Sequence, residues 1–281
     1  MGRKLKVTIV GVGLLGGSLA LALKKKGAFR LMGWNHRASS RKKASRLLSV
    51  APTLEKAAAG ADIIVICSHS GTILPFLKQL KSGLKAGALV MDVSSIKGVL
   101  VQEAGKIKGI AEHFVPCHPM AGKEKSGAAY ADASLYKGRY IFITPLSKNP
   151  KKLVVRAVRF WKGLGAIPVV MNAKTHDKNV ALTSHVPHLL ASAFVQLYGK
   201  RAGQSPSIRR AVGSGFKDFT RIAGSNPAMW SDILEMNSAD VKNFLSQYRR
   251  QLASLEKKLK KGNKRFWLSF FEKGRATREK L

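Results

Sequence analysis

An α/β domain on a mostly parallel sheet, followed by an all-helical domain, is the architecture this sequence predicts. Three observations carry it. Short apolar strands alternate with amphipathic helices up to Asn172. From Lys174 to Leu281 the apolar residues fall three and four apart and no convincing strand recurs. A glycine motif joins the first strand to the first helix. The division falls at 1–172 and 173–281.

Taken in order, KVTIVG (6–11) is β-branched, bounded by glycine and read as a buried strand. LLGGSLALALKKKG (14–27) has helical spacing, basic residues in its last turn and Gly27 as its stop. RLMGW (30–34), ADIIVICS (61–68), ALVMDVS (88–94), HFVPC (113–117) and YIFITP (140–145) are further strands. A helix over 149–165 and a last strand over 166–172 close this half. In the second half, THDKNVALTSHVPHLLASAFVQLYGK is one helical pattern that Pro187 must kink or divide. A second runs from Asn237 almost to the end. These striped helices present more apolar face than one small domain covers, which predicts a homodimer through this region.

The chain has 281 residues, 45% of them hydrophobic, enough for a sizeable core. Fifty Lys and Arg against fifteen Asp and Glu give a net charge of +35, which attracts anions. The basic residues are scattered over both halves without a stacking motif, so nucleic acid is expected to bind only nonspecifically. Cys67 and Cys117 sit in apolar runs with no metal spacing, which fits buried thiols in a reducing compartment. No secretory h-region is seen, and no apolar run reaches the ~18 residues of a membrane span. A cytoplasmic protein without a bound metal is expected.

Gly11, Gly13 and Gly16 form G-x-G-x-x-G, with the helix opening at Leu14. The first glycine permits a tight turn and the second lets backbone approach a pyrophosphate. The third lets helix and sheet pack closely, while the helix N-terminus offers N–H groups and positive potential. The first domain therefore reads as a Rossmann-type dinucleotide-binding domain. Where an NAD site usually has an acid, the second strand ends in Asn35, followed by His36, Arg37, Ser39, Ser40 and Arg41. A neutral residue followed by Arg and hydroxyls suits a 2′-phosphate, so NADP is favoured over NAD.

DVSSIK (92–97) follows the fourth strand, and ligands sit at the carboxyl ends of such strands. Ser94, Ser95 and Lys97 are expected to face the crevice, though either serine would also cap the next helix. HPMAGKEKSG (118–127) comes next, broken by Pro119, Gly122 and Gly127 and read as a rigid, glycine-hinged loop. The strand before it delivers His118 at its carboxyl end, and the loop places the ring in the same crevice, where an imidazole near neutrality can take a proton from a substrate hydroxyl while hydride leaves the same carbon.

The series GVGLLGGSLA, DVSSIK, HPMAGKEKSG, SHVPH and GFKDFTRIA resembles, in order and across nearly the whole chain, the prephenate/arogenate dehydrogenases of tyrosine biosynthesis. The resemblance implies a helical dimerisation domain and an active site between the two halves. It implies that His118 accepts the ring hydroxyl proton and that Ser95 hydrogen-bonds the same hydroxyl and His118. It implies substrate contacts from His188 in SHVPH, with His185 nearly one turn before it. Arg221 would pair with a carboxylate, with Lys217 one turn earlier on the same face, and Glu124 occupies the family's acidic position. Lys123 and Asn35 depart from the family pattern. The implied reaction is NAD(P)-dependent oxidative decarboxylation of prephenate to 4-hydroxyphenylpyruvate, or of arogenate to tyrosine. Neither a chorismate mutase segment nor a regulatory domain is expected. A 3-hydroxyacid-type or imine-type reductase shares the overall plan but gives no reason for HPMAG and SHVPH; a basic nucleic-acid-binding protein is the rival from another class.

Overall fold

A computed structural model describes residues 3–123, 125 and 127–281. β1 (Leu5–Val10) is an inner strand of the first domain, buried from Val7 onward and paired in parallel with a strand on either side. α1 (Leu14–Lys26) follows and stops at Gly27, whose φ of 65° is left-handed and suits glycine. Then come β2 (Phe29–Trp34), α2 (Ala38–Ala44), α3 (Leu54–Ala58), β3 (Ile63–Ile66), α4 (Ser70–Leu80), β4 (Leu89–Asp92), α5 (Gly98–Ala104) and β5 (Phe114–Val115). The five strands form a parallel sheet in the order β2-β1-β3-β4-β5.

Parallel strands need crossovers, and successive side chains point to opposite faces, so both faces must be covered. Val7, Ile9, Val65 and Met91 pack with Leu19 and Leu23 of α1. Ile64, Ile66 and Val90 pack on the other face with Leu54, Ile73, Leu77 and Leu100.

The expectation of a single sheet needs correcting. The strand expected over 113–117 divides at Pro116, which lacks an N–H and has a fixed φ, so the ladder cannot continue through it. β5 ends before it, and β6 (Cys117–Pro119) begins a second sheet. β6 runs antiparallel to β7 (Tyr140–Ile143). On the other side of β7, β8 (Ile167–Val170) joins it in parallel after α6 (Lys151–Gly163). His118 is therefore on a strand, opposite Phe142, and not on a hinged loop. The loop starts after Met120, whose N–H still reaches the Tyr140 carbonyl at 2.8 Å.

The helical half opens with α7 (Ala173–Val180), capped by the Asn172 side chain accepting from Thr175 N–H. A wide π-helical turn (Ala181–His185) and α8 (Val186–Ala202) continue it. Pro187 falls in the first turn of α8, and the wide turn before it takes up the break in the ladder. The joined stretch 173–202 is 30 residues long with a mean hydropathy of 1.2 over its most apolar window. By length and composition alone it could cross a membrane, which corrects the sequence expectation; polar residues within it hide its length. α9 (Pro206–Arg210), α10 (Ser214–Thr220), α11 (Pro227–Met236), α12 (Ser238–Lys261) and α13 (Lys264–Arg278) complete the chain. The helical core described is small: Ala181, Val186 and Val241, with Leu189, Leu190, Leu234 and Phe244 against it. Leu252, Leu259, Leu268 and Phe271 stand exposed on α12 and α13.

Candidate active site

The glycine turn has the shape a dinucleotide needs. Gly11 has φ 94°, and a Cβ there would lie 2.2 Å from the Cys67 carbonyl oxygen. A Cβ on Gly16 would lie 2.1 Å from the Gly11 carbonyl oxygen, so helix and turn touch backbone to backbone. A Cβ on Gly13 would meet nothing within 4 Å, which leaves open space in front of α1. No side chain caps α1 at Gly13 or Leu14, and its first turn holds no acid. A pyrophosphate fits such a terminus. Asn35 is buried, and its side chain is already engaged: Oδ1 accepts from Val12 N–H at 2.5 Å and Nδ2 donates to the Ser40 carbonyl at 3.1 Å. Arg41 donates to the carbonyls of Asn35 and His36 at 2.9 and 2.8 Å and so holds the turn, whereas His36 and Arg37 are exposed.

Asp92 organises the floor at the carboxyl end of β4. Its Oδ2 accepts from Ser94 N–H at 2.9 Å, Ser94 Oγ–H at 2.5 Å and Lys97 Nζ at 2.5 Å; its Oδ1 accepts from Cys117 N–H at 3.0 Å. Lys97 is wholly buried and Ser94 nearly so. Both were expected to face the crevice; burial and the carboxylate draw their polar ends inward instead. Ser95 is half-buried and its hydroxyl makes no hydrogen bond among the described residues. Neither serine caps α5. That role falls to Asp177 of α7, whose two carboxylate oxygens accept from Lys97 N–H at 2.9 Å and Gly98 N–H at 2.6 Å.

His118 sits one residue beyond the Cys117 amide that Asp92 holds. Its Nδ1 lies 2.8 Å from His176 Nε2, and His176 Nδ1 lies 2.7 Å from Asp177 Oδ1. The Phe142 ring packs edge-on against His176 at 5.5 Å. Burial pushes the His118 pKa well below the ordinary histidine value, with the charges of His176, Lys97 and His185 acting the same way. His118 is thus a neutral base at neutral pH. Burial also lowers His176, against the opposing pull of Asp177.

The cluster continues outward through α8 and α11. Asn237 donates to the Asp177 carbonyl at 3.0 Å and contacts His185 Nδ1 at 3.1 Å. His185 meets the Trp230 ring edge-on at 5.8 Å, and His188 stacks on the same ring at 4.0 Å. His188 is anchored through Nδ1 to the Ser184 carbonyl at 2.8 Å; burial lowers its pKa, and the Arg221 charge adds to that. Contacts therefore link His118 to His188 in one contiguous set, and the Arg221 charge acts on its outer end. Lys217 is exposed one turn earlier, and Glu124 lies outside the described residues. Sequence reasoning missed His176, Asp177, Trp230 and Asn237. His176 and Asp177 did carry a signal, being adjacent titratable residues in a helix's second turn; Trp230 and Asn237 carried none. Among the described residues no group of three or more His, Cys, Asp or Glu could hold a metal ion.

Buried neutral histidines couple stability to pH. His185 is held down to about 4 by burial, from an ordinary 6.5. Between those values the unfolded chain binds the proton and the folded chain does not, so stability is full above about pH 6.5 and falls as pH drops toward 4. His185 alone contributes about 3 kcal/mol of this slope. Urea denaturation across this range should show a visibly shallower pH dependence in His185→Gln; parallel curves for variant and wild type contradict the assignment.

The comparisons with known proteins agree with this geometry. Residues 19–170 match the family described as prephenate dehydrogenase, nucleotide-binding domain, and residues 172–272 match prephenate dehydrogenase, dimerization domain. The prephenate dehydrogenase of Lactococcus lactis subsp. cremoris is 32% identical over 280 residues, or 98% of this chain and 77% of that one. The crystal structure of prephenate dehydrogenase from A. aeolicus, in complex with hydroxyphenyl propionate and NAD+, has a TM-score of 0.90 at 30% identity and covers 99% of both chains. Synechocystis arogenate dehydrogenase has a TM-score of 0.82 at 26% identity, covering 98% of this chain and 99% of that one. A glycine turn shaped for a dinucleotide, a buried histidine joined by residues of the helical half and matches along both domains lead to one conclusion: the chain belongs to the prephenate dehydrogenase family.

Proposed function

We propose that this protein catalyses the NAD(P)-dependent oxidative decarboxylation of prephenate to 4-hydroxyphenylpyruvate, or of arogenate to tyrosine. The observation that carries the reading is His118, a buried neutral imidazole placed at a strand end and joined by residues of the helical domain. Its role is to take the proton of the ring hydroxyl. The residues of the Gly11–Gly16 turn would hold the pyrophosphate of a dinucleotide, and its nicotinamide would supply the acceptor for the hydride leaving the same ring carbon. The bond to the ring carboxylate breaks, CO2 departs, and its electron pair completes the aromatic ring. The proton held on His118 returns to the phenolate oxygen, so protons balance. Aromatisation drives the reaction, which leaves the protein to orient groups and manage one proton. Arg221 pairs with a substrate carboxylate through its planar fork, His188 and Ser95 contact the substrate, and Glu124 and Lys217 complete the proposed substrate-binding set.

His118 and Arg221 should fail differently. His118→Asn lowers kcat by ~10²–10⁴ with KM little changed, since the proton transfer belongs to the transition state. Arg221→Ala raises KM strongly with a smaller change in kcat, because the carboxylate is held in ground and transition states alike. A folded His118→Asn protein turning over at the wild-type rate sinks the mechanism.

NADP is the preferred cofactor in this reading. The end of β2 carries no carboxylate to repel a 2′-phosphate, Asn35 is committed to the turn, and Arg37 stands exposed beside it. Arg37→Ala should cost about tenfold or more in kcat/KM for NADP and little for NAD, as a charged hydrogen bond contributes ~1.5–3 kcal/mol. A wild-type preference for NAD contradicts it.

The protein acts as a homodimer. Leu252, Leu259, Leu268 and Phe271 on α12 and α13 support this, with Leu259 74% and Phe271 68% exposed over a domain of very small core. Sedimentation equilibrium at micromolar concentration should return twice the chain mass; a monomer there rules this out. The free thiols Cys67, partly buried, and Cys117, buried, support a cytoplasmic setting, and burial raises the Cys117 pKa to about 12, so it is inert. Nucleic acid binds only nonspecifically, through the +35 charge at low salt.

A further inference from the structure

A histidine has two ring nitrogens, and a base is useful only if the right one carries the lone pair. The contacts behind His118 decide which. The Asp177 carboxylate already accepts two main-chain N–H groups of α5, so it acts as an acceptor toward His176 as well. His176 therefore carries its proton on Nδ1. A neutral His176 then has its lone pair on Nε2, the atom 2.8 Å from His118 Nδ1. That short contact requires the proton on His118 Nδ1 and leaves the lone pair on His118 Nε2.

We infer that His176 and Asp177 are positioning residues that lock His118 in the Nδ1–H tautomer and so make Nε2 the base. The inference rests on His118 being the base. A histidine in water favours the opposite tautomer, with the proton on Nε2, so the lock has work to do. In a serine-protease triad, losing the orienting carboxylate leaves the geometry intact but costs ~10⁴ in kcat through the wrong tautomer. Here the carboxylate acts through one more ring. Its other bonds make it a rigid anchor: Asp177 is held by α5 amides at its carboxylate and by Asn237 at its carbonyl.

The surrounding charges favour the same state. Lys97 and His185 face His118, while Lys97, Asp92 and Asp177 surround His176. The carboxylate touches His176 and not His118, and the buried Lys97 ammonium opposes a second positive charge on either ring.

The test compares His176→Leu with His176→Gln in the full chain. The glutamine Oε1 can accept the His118 Nδ1–H; leucine cannot. His176→Leu should lower kcat by ~10²-fold or more with KM changed only a fewfold, and His176→Gln should recover most of the loss. Histidine-selective 15N NMR without substrate gives the second readout. His118 should carry its proton on Nδ1 in the wild type and on Nε2 in His176→Leu. Should the leucine variant fail to fold, wild-type NMR and the glutamine variant still decide. A wild-type His118 protonated on Nε2, or leucine and glutamine variants with equal kcat, overturns the inference. Full turnover by His118→Asn would instead remove the base assignment, and the NMR result would stand apart from it.

Discussion

Asp92 is the constraint on which the site depends. It is wholly buried at the end of β4, and its two oxygens hold the Lys97 ammonium, both polar groups of Ser94 and the Cys117 amide. A buried ion pair adds little net stability, yet removing one partner costs ~3–5 kcal/mol because a bare charge is left without water. The pair is therefore more a device for geometry than for stability. Cys117 belongs to the second sheet and Asp92 to the first, so this one carboxylate ties the two sheets together. His118 follows Cys117 directly. Its position is set through the Cys117 amide by a wholly buried group.

A second carboxylate completes the arrangement from the other domain. Asp177 caps α5 with the side chain of a residue 79 positions away in sequence and supports His176 on the same oxygen set. The docking of the helical half is thus polar at this point, and it brings His176 to His118. The wide turn at Ala181–His185 then places His185 against Asn237 and Trp230, and His188 flat on the Trp230 ring. Neither domain alone holds the His118–His176–Asp177 line.

Much of this was legible in the sequence because it rests on local rules. The glycine turn follows from steric demands that only glycine meets, and Gly11 and Gly16 meet backbone where those rules place them. The change to helices at Asn172 follows from periodicity. The departures have physical causes of longer range. Pro116 diverts the chain into a second sheet, which a run of apolar residues around it does not announce. Ser94 and Lys97 were expected in the crevice because their position on the chain is right; the buried charge of Asp92 turns them inward. His176 and Asp177 sit in an ordinary polar helix turn, and only tertiary contact shows what they meet. Lys217 matched by spacing, yet it is exposed.

The most direct test of the account is the stoichiometry of turnover by the wild-type protein. Prephenate and arogenate are each supplied with NAD and with NADP, and reduced cofactor, CO2 and aromatic product are measured together. The account predicts one CO2 and one 4-hydroxyphenylpyruvate or tyrosine for each cofactor reduced, with at least one substrate and most rapidly with NADP. Cofactor reduction without CO2 release, or none with either substrate, contradicts it.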